Sequence, residues 1–485
     1  DPQIADSNSE KLVAANCYEG LVRIMADGTI GKGVATDWNI SDDGLTYTFK
    51  LRNNSHWAMF SGHKAVLGEN YEDTFDITVK AEDFKFGIER TLSEQTGSAD
   101  APLFSAVKSI STPDDFTIVF NLSYADDNFL YALTNPGAMP CDEEFFNLTN
   151  GKYGLDAKYL LCNGPFHVSK WTEKTSVKLA KNNEYNGESS VSPSSVTFYI
   201  NNDDSEVADK MNSVTYDVAF LSSSQFSSIE NKKDLNSVAV QNVTYSFIFN
   251  QNDNNYRNKN MRLAFCRSCD TSSLFDSQSD ISKADGIVPP SCKIGGEDYR
   301  NGNAAELLSY DETLAKKNFN DALLELGSSS VETTILCTEQ YESFVKQMVQ
   351  KLQKTLGVKF VSTVKVVSES DLEAAVNDGN YSVAFYPFKA KSSFAGEIIE
   401  GFDQNNIFGY ESDVLSQKIR NIKNNSGSLE GERSAVADAE NYLVSEAVIM
   451  PVFYENSYFV TSKKTSGIYF YSSADNVCFI NAKKS

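Results

Sequence analysis

Cysteine and histidine come nearest to a metal-binding pattern in this sequence. Cys266 and Cys269 have the spacing of half a zinc site. Zinc needs four ligands, and no second cysteine pair or nearby histidine completes the set. His56 and His63 lie near the acidic residues Glu69, Glu72 and Asp73, but the spacing fits no known metal motif. We interpret both histidines as surface turn residues and predict neither a metal nor a cofactor.

The other cysteines leave the question of a disulfide open. The chain has eight cysteines, and an even number permits disulfides without implying them in a chain this long. A disulfide between Cys141 and Cys162 would close a short loop and would be worth about 3 kcal/mol.

The sequence lacks the common catalytic motifs. It contains no nucleophile elbow, no P-loop, no dinucleotide-binding glycine motif and no His-Glu-x-x-His motif. Several paired carboxylates lie in turn-forming stretches, where they are solvated; they are Asp42-Asp43, Asp114-Asp115 and Asp126-Asp127. We therefore predict that the protein is not an enzyme. The alternative of a cleft hydrolase requires a clustered nucleophile and base, which the sequence does not offer.

The composition is that of a large acidic globular protein. The 485 residues suffice for about three domains. The formal net charge of −23 disfavours nucleic acid as a partner, because phosphates would be repelled. No run of about 18 apolar residues occurs, so the sequence predicts no membrane-spanning segment. The chain begins at Asp1-Pro2, which we interpret as a processed or trimmed form, with any signal peptide upstream.

Apolar periodicity predicts alternating helices and strands, and therefore an α/β fold. The clearest helix covers 338–357, where apolar residues recur on one face and Gly357 occupies the C-terminal cap position. Further helices are predicted over 7–20, 79–92 and 371–377, and strands over 107–110, 116–122, 166–171, 176–180, 358–367 and 381–385.

One stretch of the first half resembles a known family. Residues 35–52 predict a loop, a tight turn at Asp43-Gly44 and a strand in which Tyr47, Phe49 and Leu51 alternate with polar residues. Together with Trp57, this stretch resembles the signature of the family 5 extracellular solute-binding proteins. These proteins are the dipeptide- and oligopeptide-binding receptors of bacterial ABC importers.

The resemblance extends along most of the chain. Other segments resemble the family's motifs in the same order: Cys17-Tyr18-Glu19-Gly20, Ala81-Glu82-Asp83-Phe84, Asn163-Gly164-Pro165-Phe166, 245–250, Met261-Arg262-Leu263-Ala264, 286–290, 310–317 and 447–454. The motif around Arg262 belongs to a helix that packs against its lobe in the family. The resemblance therefore implies that Cys266 and Cys269 are buried thiols.

The resemblance implies a periplasmic-binding-protein-like α/β fold of class II, with two lobes and a ligand cleft between them. Lobe 1 is expected over 1–246 plus 463–485, with a core sheet from 1–37 and 160–246 and an extra subdomain over about 38–159. Lobe 2 is expected over 250–460, with hinge crossings near 246–252 and 455–463. Closure of the lobes around a ligand is the hinge motion expected of this class.

The family's ligand site maps onto both lobes. In lobe 1 the resemblance assigns it to Asp6, Ser7, Asn8, Leu103, Phe104, Ser223 and Gln225. In lobe 2, peptide-binding members carry an aromatic residue and then an aspartate, which neutralises the ammonium group of the peptide. Here the corresponding residues are Phe388 and Lys391, and Tyr386 and Lys389 are further candidates.

The lysine at the aspartate position reverses the expected charge. Exchanging an anion for a cation at 4 Å changes the gross Coulomb energy by about 8 kcal/mol, which solvent reduces. We therefore expect a ligand that docks no free ammonium there, with Lys389 or Lys391 holding a carboxylate. The alternative is that both lysines are solvated loop residues.

The sequence thus predicts an extracellular or periplasmic receptor that captures a peptide or peptide-like solute and delivers it to ABC permease subunits. Within the same fold, the alternative ligands are an oligosaccharide, a metal chelate or haem. We expect a monomer that contacts the membrane only through an upstream lipid anchor.

Overall fold

The computed structural model describes residues 1–25, 29–126, 128–187, 190–200, 204–271, 275, 281–389, 394–403, 406–425, 428–471 and 476–485. Lys391 and Asp127 therefore lie outside the described residues. The chain divides into two compact units, unit 1 (Asp1–Val238 with Tyr458–Ser485) and unit 2 (Ala239–Ser457). The first division precedes the predicted crossing at 246–252, and the second falls within 455–463. The hinge motion stays a prediction.

The strands of the described residues are, in chain order, β1 (Val22–Ile24), β2 (Ile30–Lys32), β3 (Ala35–Ile40), β4 (Thr46–Leu51), β5 (Val107–Asp114), β6 (Thr117–Leu122), β7 (Phe166–Thr172), β8 (Ser176–Lys181), β9 (Ser195–Tyr199), β10 (Val218–Ser222), β11 (Leu235–Phe249), β12 (Ile281–Lys283), β13 (Lys293–Ile294), β14 (Glu297–Asp298), β15 (Val331–Thr338), β16 (Phe360–Val367), β17 (Val383–Lys389), β18 (Ile449–Ser462), β19 (Thr465–Ser466), β20 (Tyr469–Tyr471), β21 (Asn476–Cys478) and β22 (Lys483–Lys484).

The α-helices of the same residues are α1 (Asn8–Cys17), α2 (Lys64–Leu67), α3 (Tyr71–Thr74), α4 (Ala81–Leu92), α5 (Phe129–Ala132), α6 (Glu143–Leu148), α7 (Asp204–Asn212), α8 (Ser223–Ser228), α9 (Asn254–Arg257), α10 (Lys259–Arg267), α11 (Glu312–Leu326), α12 (Glu342–Leu356), α13 (Glu369–Asn377), α14 (Ala395–Glu400), α15 (Asp413–Asn424) and α16 (Leu429–Ser445). None of them is long and apolar enough to cross a bilayer.

Unit 1 contains a four-stranded antiparallel sheet in the order β3-β4-β6-β5. Tyr47, Phe49 and Leu51 on β4 are buried, as their alternation predicts. The turn before β4 uses Gly44 at φ 69°, a conformation that glycine adopts without steric cost. The prediction of a loop before this turn is wrong, because 35–40 form strand β3 and pair with β4.

Unit 2 is built on a sheet in the order β18-β11-β17-β15-β16, with β12 beside β18. β15 runs parallel to β16 and β17, whereas β11 runs antiparallel to β17. One face of the sheet buries Phe319 and Met348 from helices α11 and α12. The other face buries Ile419 and Val436 from α15 and α16. Two helical layers around a mixed sheet confirm the predicted α/β class.

Strand β17 is longer than the sequence predicts. The prediction ended it at Phe385, but the ladder with β11 continues through Tyr386, Pro387 and Phe388 to Lys389. The ladder continues although Pro387 cannot donate a backbone hydrogen bond to it. Lys389 therefore closes a strand and does not belong to a loop.

Helix boundaries follow their capping residues. The helix predicted over 7–20 begins after Ser7, whose hydroxyl accepts a hydrogen bond from Glu10 N while the Glu10 carboxylate accepts one from Ser7 N. The helix predicted over 338–357 ends at Leu356, with Gly357 at φ 78°.

Candidate functional site

The first predicted segment of unit 1 is solvent-exposed. Asp6, Ser7 and Asn8 are exposed at the N-terminus of α1. The backbone N–H groups of Asp6 and Ser7 donate to Glu10 Oε2 at 3.2 and 3.0 Å. The backbone of this segment is therefore held by a helix cap, and its three side chains remain open to solvent.

The other predicted residues of unit 1 are more enclosed. Phe104 is fully buried at the end of the 3₁₀ helix Ala101–Phe104, and its neighbour Leu103 is half-buried. Ser223 is buried at the start of α8. Gln225 Oε1 accepts a hydrogen bond from Ser222 N at 2.7 Å, so this amide helps to cap α8.

His63 is placed differently from the prediction. His63 is 1% exposed, and its Nε2 lies 3.0 Å from the carbonyl oxygen of Leu160. Its ring packs against Phe60 and Phe145. Burial lowers its pKa to about 4. The interpretation of His63 as a surface residue is therefore wrong, because aromatic packing places it in the core.

The cysteines are free thiols in the structure. Cys266 and Cys269 are buried, as the resemblance implied, and Cys269 Sγ lies 3.2 Å from Met348 Sδ. Cys141 and Cys162 do not form a disulfide, and both are buried as free thiols. No group of three or more metal-binding side chains occurs among the residues that the structure describes.

Three of the sequence motifs meet in one structural junction of unit 1. Glu19 forms a buried ion pair with Arg52, which lies at the end of the 35–52 stretch. Arg52 Nη1 also donates to the Gly33 carbonyl at 2.6 Å. The side-chain amide of Asn163 accepts a hydrogen bond from Glu19 N at 3.0 Å and donates one to the Glu19 carbonyl at 2.8 Å. These residues bind one another, and we therefore assign them to the scaffold.

In unit 2, the end of β17 presents aromatic and basic side chains. Phe388 stacks on Phe402 with ring centroids 5.7 Å apart, and lies 5.7 Å from both Phe408 and Tyr386. Lys389 is exposed. Phe388 is therefore held rigidly by neighbouring rings, whereas the Lys389 ammonium is free to meet a ligand.

Two buried hydroxyls lie on the same face as these aromatic residues. Thr244 is opposite Phe388 and Ser246 is opposite Tyr386 in the antiparallel register of β11 and β17. Both hydroxyls are fully buried, and neither has a hydrogen-bond partner among the described residues. An unpartnered buried polar group costs about 1–3 kcal/mol, so this face is unusually polar for its burial.

A polar cluster lies beside the same strands. Glu455 accepts hydrogen bonds from the Tyr341 hydroxyl and from Gln340 Nε2. Burial raises the pKa of Glu455, while these two hydrogen bonds and the charge of Lys389 act in the opposite direction. Tyr245 packs on Tyr341 with ring centroids 4.4 Å apart. The cluster thus places an acid within electrostatic reach of Lys389.

A cavity of about 930 Å³ opens at the carboxyl ends of the parallel strands of unit 2. Thr338 and Val367 close strands β15 and β16 at its wall, and Gln340 and Glu369 also line it. Ligands of α/β proteins commonly bind outside the carboxyl ends of such strands. The cavity, the polar cluster and the end of β17 together form the candidate site of unit 2.

A buried ion pair fixes the loop that contains the 286–290 motif. Glu440 on α16 is 1% exposed and pairs with Arg300. The Glu440 carboxylate also accepts hydrogen bonds from Ile287 N at 2.7 Å, Val288 N at 2.9 Å and the Tyr299 hydroxyl at 3.0 Å. The loop is therefore anchored to α16 by one fully satisfied carboxylate.

Sequence reasoning missed most of the polar cluster. Tyr341 lies within the predicted helix 338–357, but in the structure it ends the 3₁₀ turn Glu339–Tyr341 that precedes α12. Glu455 directly follows the 447–454 motif, and its position next to a family motif was the one signal available. Neither residue has a neighbour in sequence that would indicate the other.

This arrangement is that of a ligand-binding protein. The chain forms two compact units. In unit 2, a cavity and side chains of opposite charge lie at the carboxyl ends of parallel strands. The sequence model of a protein family, the bacterial extracellular solute-binding proteins of family 5, matches residues 29–408. The chain belongs to this family. It is therefore an extracellular solute-binding protein and not an enzyme.

Individual relatives agree with this assignment. The chain is 23% identical over 491 residues to the dipeptide-binding protein DppE of Bacillus subtilis. This alignment covers 96% of this chain and 87% of DppE. Its fold matches a dipeptide-binding protein from Pseudoalteromonas sp. SM9913 in complex with Met-Leu, at a TM-score of 0.79, 18% identity and coverage of 100% and 97%. It also matches Listeria monocytogenes OppA bound to peptide, at a TM-score of 0.77, 21% identity and coverage of 100% and 96%. These matches confirm the predicted fold class.

Proposed function

We propose that this protein is the peptide-binding receptor of an ABC importer, which captures its ligand outside the membrane and delivers it to the permease subunits. The observation that carries this proposal is that unit 2 holds both a basic and an acidic side chain at the candidate site: Lys389 is exposed at the end of β17, and its charge acts on the carboxyl of Glu455 in the polar cluster. A peptide has both a carboxylate and an ammonium group, so it matches a site with both signs of charge. The dipeptide and peptide ligands named for the relatives support the same class.

Lys389 is the residue that we assign to the ligand carboxylate. Its ammonium is exposed at the end of β17, and Phe388 beside it is fixed by stacking on Phe402. Glu455 is an acid whose carboxyl is influenced by the charge of Lys389, and it offers an alternative to the aspartate that the family places after the aromatic residue. The ligand ammonium would therefore dock near the polar cluster. The lipid anchor and the monomeric state stay predictions.

Blocked peptides test the assignment of Lys389. A charge-assisted hydrogen bond is worth about 1.5–3 kcal/mol, so Lys389→Gln is expected to weaken binding of peptides with a free carboxylate by roughly tenfold to a hundredfold. The same variant should bind C-terminally amidated peptides as the unchanged protein does. Isothermal titration calorimetry with matched free and amidated peptides measures both affinities.

The matched control is Lys359→Gln. Lys359 is exposed just before β16, at the end of the parallel sheet opposite to the candidate site. This variant should bind both peptides normally. Two results would contradict the role of Lys389. One is an equal loss of peptide affinity in both variants, and the other is a Lys389→Gln variant that still prefers the free peptide to the amidated peptide as strongly as the unchanged protein does.

A thermal-shift screen tests the ligand class. A ligand raises the melting temperature when it binds the native state better than the unfolded state. Peptides are expected to raise it, and oligosaccharides, metal chelates and haem are not. A shift with one of those other solutes alone would overturn the peptide proposal, and turnover of any stabilising ligand would overturn the receptor proposal.

A further inference from the structure

Six exposed lysines of unit 1 gather on one surface. We call this surface the lysine patch and define it as Lys232, Lys233, Lys463, Lys464, Lys483 and Lys484. They come from the 3₁₀ helix Lys232–Asp234, the turn after β18 and strand β22. The protein has a net charge of −23, so a cationic surface of this density is a local reversal of its overall charge.

Backbone hydrogen bonds hold the three segments together. Lys463 N donates to the Asp234 carbonyl at 2.9 Å, and Lys463 Nζ donates to the Lys233 carbonyl at 2.7 Å. Ser485 N donates to the Lys464 carbonyl at 2.8 Å, and Ser466 pairs with Lys483 across β19 and β22. The lysines are therefore brought together by the fold, although their segments are distant in sequence.

Few carboxylates neutralise the patch. Asp217 pairs with Lys484 at 3.0 Å, and Asp234 accepts a hydrogen bond from Asn231 Nδ2 at 2.8 Å. Within the described part of the chain, the other five lysines have no carboxylate within 4 Å. The patch thus retains a clear excess of positive charge.

The residue type indicates what kind of partner fits this charge. Lysine presents a compact, hydrated point charge, whereas arginine forms the rigid two-pronged contacts typical of specific carboxylate recognition. Protein interfaces are enriched in arginine and depleted in lysine. The patch consists of lysines alone, which matches a diffuse layer of phosphate groups better than a protein surface.

We propose that the lysine patch docks unit 1 onto a membrane surface that contains anionic phospholipids. A cluster of four to eight basic residues is typical of contact with such lipids, and each contributes about 1 kcal/mol near the surface. The Debye length is about 8 Å at physiological salt, so acidic residues elsewhere on the protein are largely screened from the membrane. Such contact would complement the proposed delivery of solute to a permease, but it requires no bound solute.

Vesicle co-sedimentation tests this docking. The full chain is expected to bind vesicles of phosphatidylglycerol and phosphatidylcholine and not vesicles of phosphatidylcholine alone. Each lysine corresponds to about a fivefold change in affinity. The variant K233Q/K463Q/K464Q/K483Q should therefore bind at least about a hundredfold more weakly, and 0.5 M salt should abolish binding of the unchanged protein.

A matched variant controls for net charge. K108Q/K170Q/K174Q/K178Q removes the same number of exposed lysines from unit 1 outside the patch, and it should bind vesicles normally. Melting temperatures of both variants establish that they fold. Peptide binding by K233Q/K463Q/K464Q/K483Q, measured separately, should be unchanged. Vesicle binding therefore tests membrane docking, and peptide binding tests the proposed function independently.

Three results would overturn the proposal. The first is equal binding of the protein to neutral and anionic vesicles. The second is an equal loss of vesicle binding in the two lysine variants, and the third is vesicle binding that high salt does not weaken. If the patch binds polyglutamate but no anionic vesicle, its partner is an acidic protein and the membrane proposal is wrong.

Discussion

Burial keeps the imidazole of His63 neutral. The ring is packed among aromatic residues of unit 1, and its Nε2 contacts the Leu160 carbonyl. Its pKa of about 4 lies well below the usual 6.5, because burial disfavours the charged form. At a pH between about 4 and 6.5, His63 is therefore neutral in the folded protein and gains a proton when unit 1 unfolds.

This difference predicts an acid-sensitive contribution to stability. The unfolded state binds the proton more readily, so the contribution is complete above pH 6.5 and is lost as the pH falls toward 4. The loss corresponds to about 3 kcal/mol, from about 1.4 kcal/mol for each pKa unit. Denaturant unfolding at pH 7 and pH 4 should show a smaller pH effect in His63→Phe than in the unchanged protein.

His56→Phe is the control for this measurement. His56 is only half-buried, and this variant should retain the pH dependence of the unchanged protein. If His63→Phe and the unchanged protein lose equal stability between the two pH values, the buried imidazole is not the cause.

At the scale of elements, helix α16 holds the loop over 285–288 through Glu440. The carboxylate is satisfied by Arg300, by two backbone N–H groups and by the Tyr299 hydroxyl. A buried pair of this kind is costly to break, because the remaining charge is left without a partner. The helix and the loop are therefore expected to unfold together.

Glu440→Ala tests this coupling. Removing one partner of a buried ion pair typically costs about 3–5 kcal/mol, so the melting temperature of the variant should fall strongly. Asp438→Ala on the same helix is the control, since Asp438 is exposed and pairs with Lys418 on the surface. That pair is worth at most about 1 kcal/mol. A similar small effect in both variants would contradict the anchoring role of Glu440.

At the scale of the whole molecule, both units are stabilised without disulfides. All eight cysteines are free, and seven of them are buried while Cys478 is partly exposed. Large cores supply the stability that small extracellular domains obtain from disulfides. The protein should therefore have the same melting temperature with and without a reductant.

Thiol titration measures the same property directly. A reagent such as dithionitrobenzoate should react with about one thiol of the native protein and with eight after denaturation without reductant. Burial shields the remaining thiols in the native state. Fewer than eight reactive thiols in the denatured protein would reveal a disulfide and contradict the free state.

Features that depend on neighbouring residues can be read from one sequence. The alternation on β4 predicted which side chains are buried, and Ser7 and Gly357 bounded helices through local capping. The motif around 35–52 indicated the family, and its last residue, Arg52, pairs with Glu19 in the scaffold of unit 1. These signals are local or recur with a fixed period, so a single sequence is sufficient to detect them.

Contacts between residues that are distant in sequence emerge only from the folded chain. Arg300 and Glu440 pair, and the segments of the lysine patch join, although each set is far apart along the chain. The ladder between β11 and β17 likewise carries a strand past Pro387, against its local preference. Such contacts depend on the path of the whole chain through its sheets, because a side chain's charge and burial are set by whichever segments pack beside it.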